Sequence, residues 1–454
     1  MATIKASYTI IPNEPTPNGR LWLSDYDHYT RPGHTPLIYI YRAKHIHKNA
    51  IERMRSSLSK ILVHYYPIAG RLSLTQSGRI ELDCNTKGVT LLEAESTKSF
   101  DEYGDFSPSM PIKELVPTID YTQPIESLPL LFIQVTRFQG DQGLAIGLAV
   151  SHPVGDGITW IHFLNSWAKV AKGDTLEPHE MPFLDRKILK FPHQTSPPHF
   201  DHPELKTLPL LLGKYDSIDE QKKKTSSILL KLTSNQVEIL KKMANDGSMK
   251  EGSRPYSRYE AIVAHIWRCA SKARELDENQ PTIVRFNVNF RNIINPPLPR
   301  NYFGNVLAPT VTPTCYVGDI ISNPLSYAAQ KIREATELLT NEYIRSQMSV
   351  IVGEEKLDCI KALFLGQGEH GNAPFGGNPN LHITSWMSME MYEADFGWGK
   401  PVYFGLGYLF PQDRGIVILS PEERGSIIVN MHFQIAHIPL FKRFFYEDIF
   451  TSRL

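Results

Sequence analysis

The sequence predicts a mixed α/β protein built as two domains, and three observations predict it. The chain has 454 residues, 41% of them hydrophobic; that exceeds one ordinary core and suggests domains of roughly 200 residues each. Short β-branched and aromatic runs alternate with segments of helical spacing along both halves. Between the halves, from about Met181 to Ser226, six prolines, scattered histidines and the run Lys222-Lys223-Lys224 mark an extended crossover. The expected domains are residues 1–190 and 226–454, with 191–225 as a linker. A structureless stretch of that length usually joins domains rather than lying inside one.

In the first half, Pro36 to Tyr41 is β-branched and aromatic and reads as a strand. Lys48 to Tyr65 places Ile51, Met54, Leu58 and Leu62 at helical spacing. Pro67 to Leu72 is a turn leading into another strand. Leu130–Thr136 and Leu144–Val150 read as buried strands joined by a Gly140-Asp141-Gln142-Gly143 turn, and a helix follows from about Ile158 to Val170. In the second half, Ser234–Asn245 and Ser257–Arg274 read as helices and Ile283–Phe290 as a strand. Asn323 to Tyr343 is largely helical, with Asn323 as N-cap and Pro324 at the first helical position. Strands are expected at His382–Met389, Val402–Leu409, Gly415–Ser420 and Ser426–Phe433, and a last helix at Ile438–Phe450.

Composition narrows the function. Lys+Arg and Asp+Glu both number 48, so the formal net charge is zero and no nucleic-acid partner is implied, because binding one needs a basic surplus. Cys84, Cys269, Cys315 and Cys359 lie far apart without a C-x-x-C pair, which argues against a disulfide framework or structural zinc and fits a reducing compartment. Met1 to Pro17 has no apolar leader core, and no run of 18 apolar residues exists. Cytoplasm is the expected location; Ser452-Arg453-Leu454 resembles a peroxisomal address and leaves that alternative open.

His152 ends an apolar strand on the turn Ser151-His152-Pro153-Val154-Gly155-Asp156-Gly157. Such strand-to-helix turns lift a side chain out of the core, and Gly155 and Gly157 let the backbone turn tightly around Asp156. Imidazole, with an unperturbed pKa near 6.5, is substantially neutral at pH 7 and can accept a proton from a hydroxyl or amine. The competing reading is a core histidine bonded to a backbone carbonyl. Two further stretches stand out: Asn301-Tyr302-Phe303-Gly304-Asn305, after the rigid Pro296 to Pro299, and Asp395-Phe396-Gly397-Trp398-Gly399.

Together these stretches resemble the signature of the plant BAHD acyltransferase family. Its H-x-x-x-D-G is met by His152, Asp156 and Gly157, its Y-F-G-N by Tyr302 to Asn305, and its D-F-G-W-G by Asp395 to Gly399. The likeness runs from Pro17-Asn18-Gly19-Arg20-Leu21 to Phe444-Phe445-Tyr446-Glu447-Asp448 and so covers the chain. Ser151 stands where many members carry a second histidine. The resemblance implies two similar CoA-acyltransferase-like domains with mixed β-sheets and an active-site channel between them. It implies a monomer that takes acyl-CoA as co-substrate, with no permanently bound cofactor, no metal and no membrane partner.

It also implies roles. His152 is the general base, Asp156 pairs with Arg291 to aim the histidine loop, and Trp386 assists catalysis. Thr384 and Ser385, in the Thr384-Ser385-Trp386 stretch, and Ser257 with Arg258, opening an S-x-Y/F-E pattern, bind the CoA side. Asp395, Gly397 and Trp398 support the structure, and Thr35 and Tyr39 lie on the acceptor-side strand. No Lys or Arg occurs between Lys361 and Lys400, whereas Glu369, Glu390, Glu393 and Asp395 do. An acidic lining suits a polycation, so Glu369 and Glu390 are expected to hold an acceptor's ammonium groups. Trp386 to Met389, Met391 to Glu393 and Pro182 to Leu189 look similar to spermidine hydroxycinnamoyl transferases. The expected product is then a phenolamide of plant secondary metabolism, made from hydroxycinnamoyl-CoA and spermidine. O-acylation of shikimate or quinate, and a catalytically silent binding protein on the same fold, are the alternatives.

Overall fold

The computed structural model describes residues 1–28, 30, 33–42, 49–76, 79–190, 200–246, 254–352, 377–408 and 413–451. They form two six-stranded sheets with helices packed against them. Beside two smaller sheets, the strands of the six-stranded ones are, in chain order, β1 (Ala2–Ile10), β2 (His34–Tyr41), β3 (Val89–Ser96), β4 (Leu131–Arg137), β5 (Leu144–Ser151) and β6 (Thr225–Leu232). After them come β7 (Val284–Asn289), β8 (Leu307–Val311), β9 (Leu381–Ser385), β10 (Tyr403–Leu406), β11 (Arg414–Leu419) and β12 (Ile427–Gln434). The longer helices are α1 (Ala50–His64), α2 (Gly157–Lys172), α3 (Ser234–Asn245), α4 (Arg258–Arg274), α5 (Leu325–Glu337), α6 (Asn341–Val352) and α7 (Ile438–Thr451). None is long and apolar enough to cross a membrane.

The residues group into two compact units, one of Met1–Pro192, Pro296–Val306 and Met389–Tyr408, the other of His193–Asn295, Leu307–Ser388 and Leu409–Leu454. The first holds the sheet β1-β3-β4-β5-β2-β10 and the second the sheet β8-β7-β9-β11-β12-β6. A division at one contiguous crossover would leave Tyr302–Asn305 and Asp395–Gly399 with the C-terminal half, but both lie in the first unit. Backbone pairing explains why. β10 pairs antiparallel with β2 from Tyr403↔Ile40 to Leu406↔Leu37. Phe183 N–H donates to Asn301 O, and Phe303 N–H to Phe183 O, each at 2.9 Å.

Both sheets are mixed. In the first, β3 and β4 run parallel; in the second, β7, β9 and β11 do. The second unit's core lies between one sheet face and its helices. Val284 and Phe286 of β7, Leu381 and Ile383 of β9 and Val429 and Met431 of β12 meet Ala261 to Trp267 of α4 there. α4 is buried almost all round, which fits a helix enclosed by sheet and neighbouring helices.

Two expected elements change. The stretch from Asn323 is divided: Asn323 ends a short helix, Val317–Ser322, Pro324 is the N-cap of α5, and α6 starts afresh at Asn341. The strand expected at His382–Met389 stops at Ser385.

Candidate active site

His152 lies where β5 passes into a single 3-10 turn, His152–Val154, before α2. The loop is tied down through its main chain. His152 N–H donates to Gly33 O at 2.9 Å, and His152 O accepts from Asn305 Nδ2 at 2.9 Å. Asp156 is the N-cap of α2; its Oδ1 accepts from Thr159 N–H and its Oδ2 from Val306 N–H, both at 3.0 Å. Such caps stabilise a helix by about 1 kcal/mol. Gly155 is extended, at φ −179°, so its need for glycine is one of space: a Cβ there would lie 2.4 Å from Thr159 Cγ2.

The Tyr302–Asn305 stretch is the plate behind this loop. Thr159 Oγ1 donates to Gly304 O at 2.9 Å, while Asn305 N–H and Nδ2 both donate to Asp27 Oδ1, at 2.8 and 2.9 Å. Asp27 pairs with Arg186 at 2.7 Å, their side chains 0% and 3% exposed, and Arg186 also donates to Val154 O at 2.6 Å. A buried ion pair thus braces the histidine loop from beneath. Asp27 and Arg186 were not singled out by sequence reasoning, and nothing local in Ser24–His28 or Asp185–Leu189 announces such a pair.

With Ser151, Pro153 and Val154 buried, His152 stays half-buried. Its neighbour His34 contrasts with it. His34 Nε2 lies 2.8 Å from Pro129 O and Nδ1 3.1 Å from Tyr121 Oη, and burial lowers its pKa to about 4 against the pull of that carbonyl bond. His34 is a neutral clamp. On the same strand Thr35 is half-buried, while Tyr39 is buried with an Oη that has no hydrogen-bond partner among the described residues.

The Asp395 turn is a separate construction. Asp395 Oδ1 accepts from Gly397 N–H at 2.8 Å and Gly399 N–H at 2.9 Å, and Lys172 Nζ lies 3.2 Å from Oδ2. Burial pushes this carboxyl's pKa up, but those bonds and Lys172 outweigh it and hold it below its ordinary value. Gly397 and Gly399 take φ of +99° and +105°, a region that suits glycine. Phe396 meets Trp167 edge-on at 4.8 Å, and Trp398 stacks on Phe396 at 5.5 Å. Lys172 ends α2, which Asp156 caps at the other end; its 16 residues span roughly 24 Å. Asp395 is accordingly far from His152.

The remaining candidates are placed as follows. Glu390 is exposed and 3.7 Å from Arg300, Glu393 is bound by Lys400 at 2.6 Å, and Glu369 lies outside the described residues. In the second unit Ser257 caps α4 in a capping box with Glu260. Arg258 pairs with Glu238 at 3.3 Å. The S-x-Y-E pattern is therefore spent partly on structure: burial raises the Glu260 pKa, yet Arg333, Arg254 and the Ser257 N–H bring it down to about 2. Thr384 and Ser385 are successive residues of β9 and so point to opposite sheet faces; Trp386 follows, its N–H on Val417 O at 2.8 Å. Arg291 is buried, with Nη1 3.2 Å from Asn289 Oδ1.

Comparison with known proteins fits this construction. The model of the family described as "Transferase family" matches residues 1–448. The chain belongs to that family, the BAHD acyltransferases. Over 459 residues, it is 40% identical to hydroxycinnamoyl-CoA:piscidic acid hydroxycinnamoyltransferase of Actaea racemosa, covering 99% of this chain and 100% of that protein. Identity is 36% to shikimate O-hydroxycinnamoyltransferase of Nicotiana tabacum, with 98% and 99% covered. It is 34% to a hydroxycinnamoyl-CoA:5-hydroxyanthranilate N-hydroxycinnamoyltransferase of Avena sativa, with the same coverage. Among solved structures, vinorine synthase superposes with a TM-score of 0.71 at 20% identity, over 97% of this chain and 96% of that one. TRI101 of F. graminearum, complexed with coenzyme A and T-2 mycotoxin, superposes with a TM-score of 0.77 at 15% identity, over 94% and 97%. Both share the BAHD fold.

Proposed function

We propose that this acyltransferase moves a hydroxycinnamoyl group from its CoA thioester to a small acceptor, with His152 as general base. The observation that carries the reading is the His152 loop: a half-buried imidazole whose main chain is fixed by Gly33, Asn305 and the Asp156 cap. In the reaction the imidazole nitrogen takes the proton of the acceptor's N–H or O–H as that heteroatom bonds to the thioester carbon. The tetrahedral intermediate collapses, the C–S bond breaks, and the departing CoA sulfur recovers the proton from the imidazolium. Thr384 and the Trp386 indole donate to the developing oxyanion. Asp156 positions the loop without relaying protons, its carboxylate taking the N–H groups of Thr159 and Val306. A covalent acyl-enzyme has no support from the described cysteines: burial pushes the Cys84 thiol to about 12, Cys315 to about 11 and Cys269 well above its ordinary value, so none is a thiolate near neutrality.

The first acceptor is an amine of spermidine, supported by the likeness of Trp386 to Met389, Met391 to Glu393 and Pro182 to Leu189 to spermidine transferases. Glu369 is the carboxylate to test first, because Glu390 already faces Arg300. The second reading, a small hydroxy or amino acid, is favoured by the relatives named for piscidic acid, shikimate and 5-hydroxyanthranilate. Purified protein should release CoA thiol from coumaroyl-CoA, and mass spectrometry of a mixed acceptor panel should show which acceptor gains the acyl group. With spermidine the rate should climb between about pH 7 and 9 as free amine accumulates. No thiol release with any acceptor overturns the enzyme reading in favour of a binding protein; acylated shikimate without acylated spermidine selects the second acceptor.

A further inference from the structure

The second unit's sheet carries a polar row that none of the sequence motifs includes. Val284, Phe286, Leu381, Ile383, Val417, Val429 and Met431 enter the helical core, so the residues alternating with them occupy the opposite face. On that face the register sets Arg285 beside His382, His382 beside Arg414, Arg414 beside His432 and His432 beside Ser227. One line of side chains crosses five strands. The Ser227 end is spent on itself, its Oγ lying 3.0 Å from His432 Nδ1.

The other end is not closed. His382 is 9% exposed, and its Nε2 is buried with no hydrogen-bond partner among the described residues. Burial drives its pKa far below the ordinary value, and Arg414 and Arg285 push the same way. The imidazole is neutral, and the two guanidiniums beside it carry the charge. Both arginines make further contacts; the His382 nitrogen is what remains over. Leaving such a group unsatisfied costs about 1–3 kcal/mol, and a neutral imidazole between two cations suits an incoming anion.

We propose that Arg285, His382 and Arg414 form a subsite for a substrate oxyanion, either a carboxylate of the acceptor or a phosphate of CoA. The subsite lies on the same strand face as Thr384, two residues and roughly 7 Å along β9. It deepens the transferase reading and rests on it only in taking the oxyanion to be part of a substrate. Neither source changes the chemistry recognised.

Calorimetric titration of the full chain with CoA and with shikimate tests this directly. Arg414→Gln, at a half-buried position, should weaken one of the two about tenfold or more, with Arg414→Lys recovering part of the loss. His382→Phe should weaken the same probe. Loss confined to CoA identifies a phosphate, and loss confined to shikimate identifies a carboxylate; either supports the subsite. Unchanged affinity for both probes in Arg414→Gln and His382→Phe proteins that melt like the wild type would overturn it. Thiol release by the wild type is measured separately. Row-dependent binding without thiol release would keep the subsite and remove the transferase reading.

Discussion

Two aspartate-led turns of the first unit share a plan and differ in what they leave over. Asp156 reaches outward, one oxygen capping α2 and the other taking the N–H of Val306, 150 residues away. Asp395 closes on its own turn, on glycines two and four residues along. The first turn is specified by distant parts of the chain and presents a half-buried imidazole. The second is held mainly by its own glycine N–H groups, with Lys172 on the other oxygen, and it buries Phe396 while Trp398 stays half-buried. A turn proposed to carry chemistry holds a side chain that is not itself packed, so its precision comes largely from elsewhere in the chain; a turn that packs its own aromatic residue can supply most of its bonds itself.

The largest expected contrast between them is catalytic. His152→Ala should lose about 10²–10⁴-fold in turnover, the usual worth of a general base, with an unchanged melting temperature. Near-normal turnover would remove the base from position 152. Next, Arg186→Met leaves Asp27 as a lone buried charge and should cost about 3–5 kcal/mol in urea unfolding, with turnover falling alongside. A loss under about 1 kcal/mol would mean the brace is dispensable.

Smaller effects separate stability from activity. Gly155→Ala crowds Thr159 and should cost about 1–3 kcal/mol while displacing the histidine loop. Gly397→Ala, at positive φ with its Cβ 3.1 Å from Arg53 Nη2, should cost about 1–2 kcal/mol and leave the KM of the folded enzyme alone. Equal kinetic damage from both would erase the distinction drawn here. The mildest test is acid. Because Asp395 is held below its ordinary value of 3.8, it stabilises the fold above that pH, and the contribution fades as pH falls through the folded value. Asp395→Asn should flatten the acid limb of a stability–pH curve; an unchanged limb would show that the turn does not depend on the charge.

Helices and central strands were legible because periodicity reports burial. Ser234–Asn245 agrees at both ends, and β2, β4, β5, β7, β11 and β12 lie within two residues of their expected bounds. Of the strands in the two six-stranded sheets, those that went unseen are β1, β3, β6 and β8, and all but β3 are edges of their sheets. An edge strand is half solvated and needs no apolar run; β1 buries only its last residue.

By itself the sequence determined the fold class and the family and singled out His152 as the residue to test, since these are written in local pattern and in three motifs that need only be read in order. Tertiary structure alone decided that the Tyr302–Asn305 and Asp395–Gly399 motifs belong to the first unit, that Asp27 and Arg186 brace the loop, and that Arg285, His382 and Arg414 stand in one row. The physical reason is common to all three. Each depends on strand register or on a bond between residues far apart in the chain, and a one-residue slip in pairing would turn every side chain of that row to the other face.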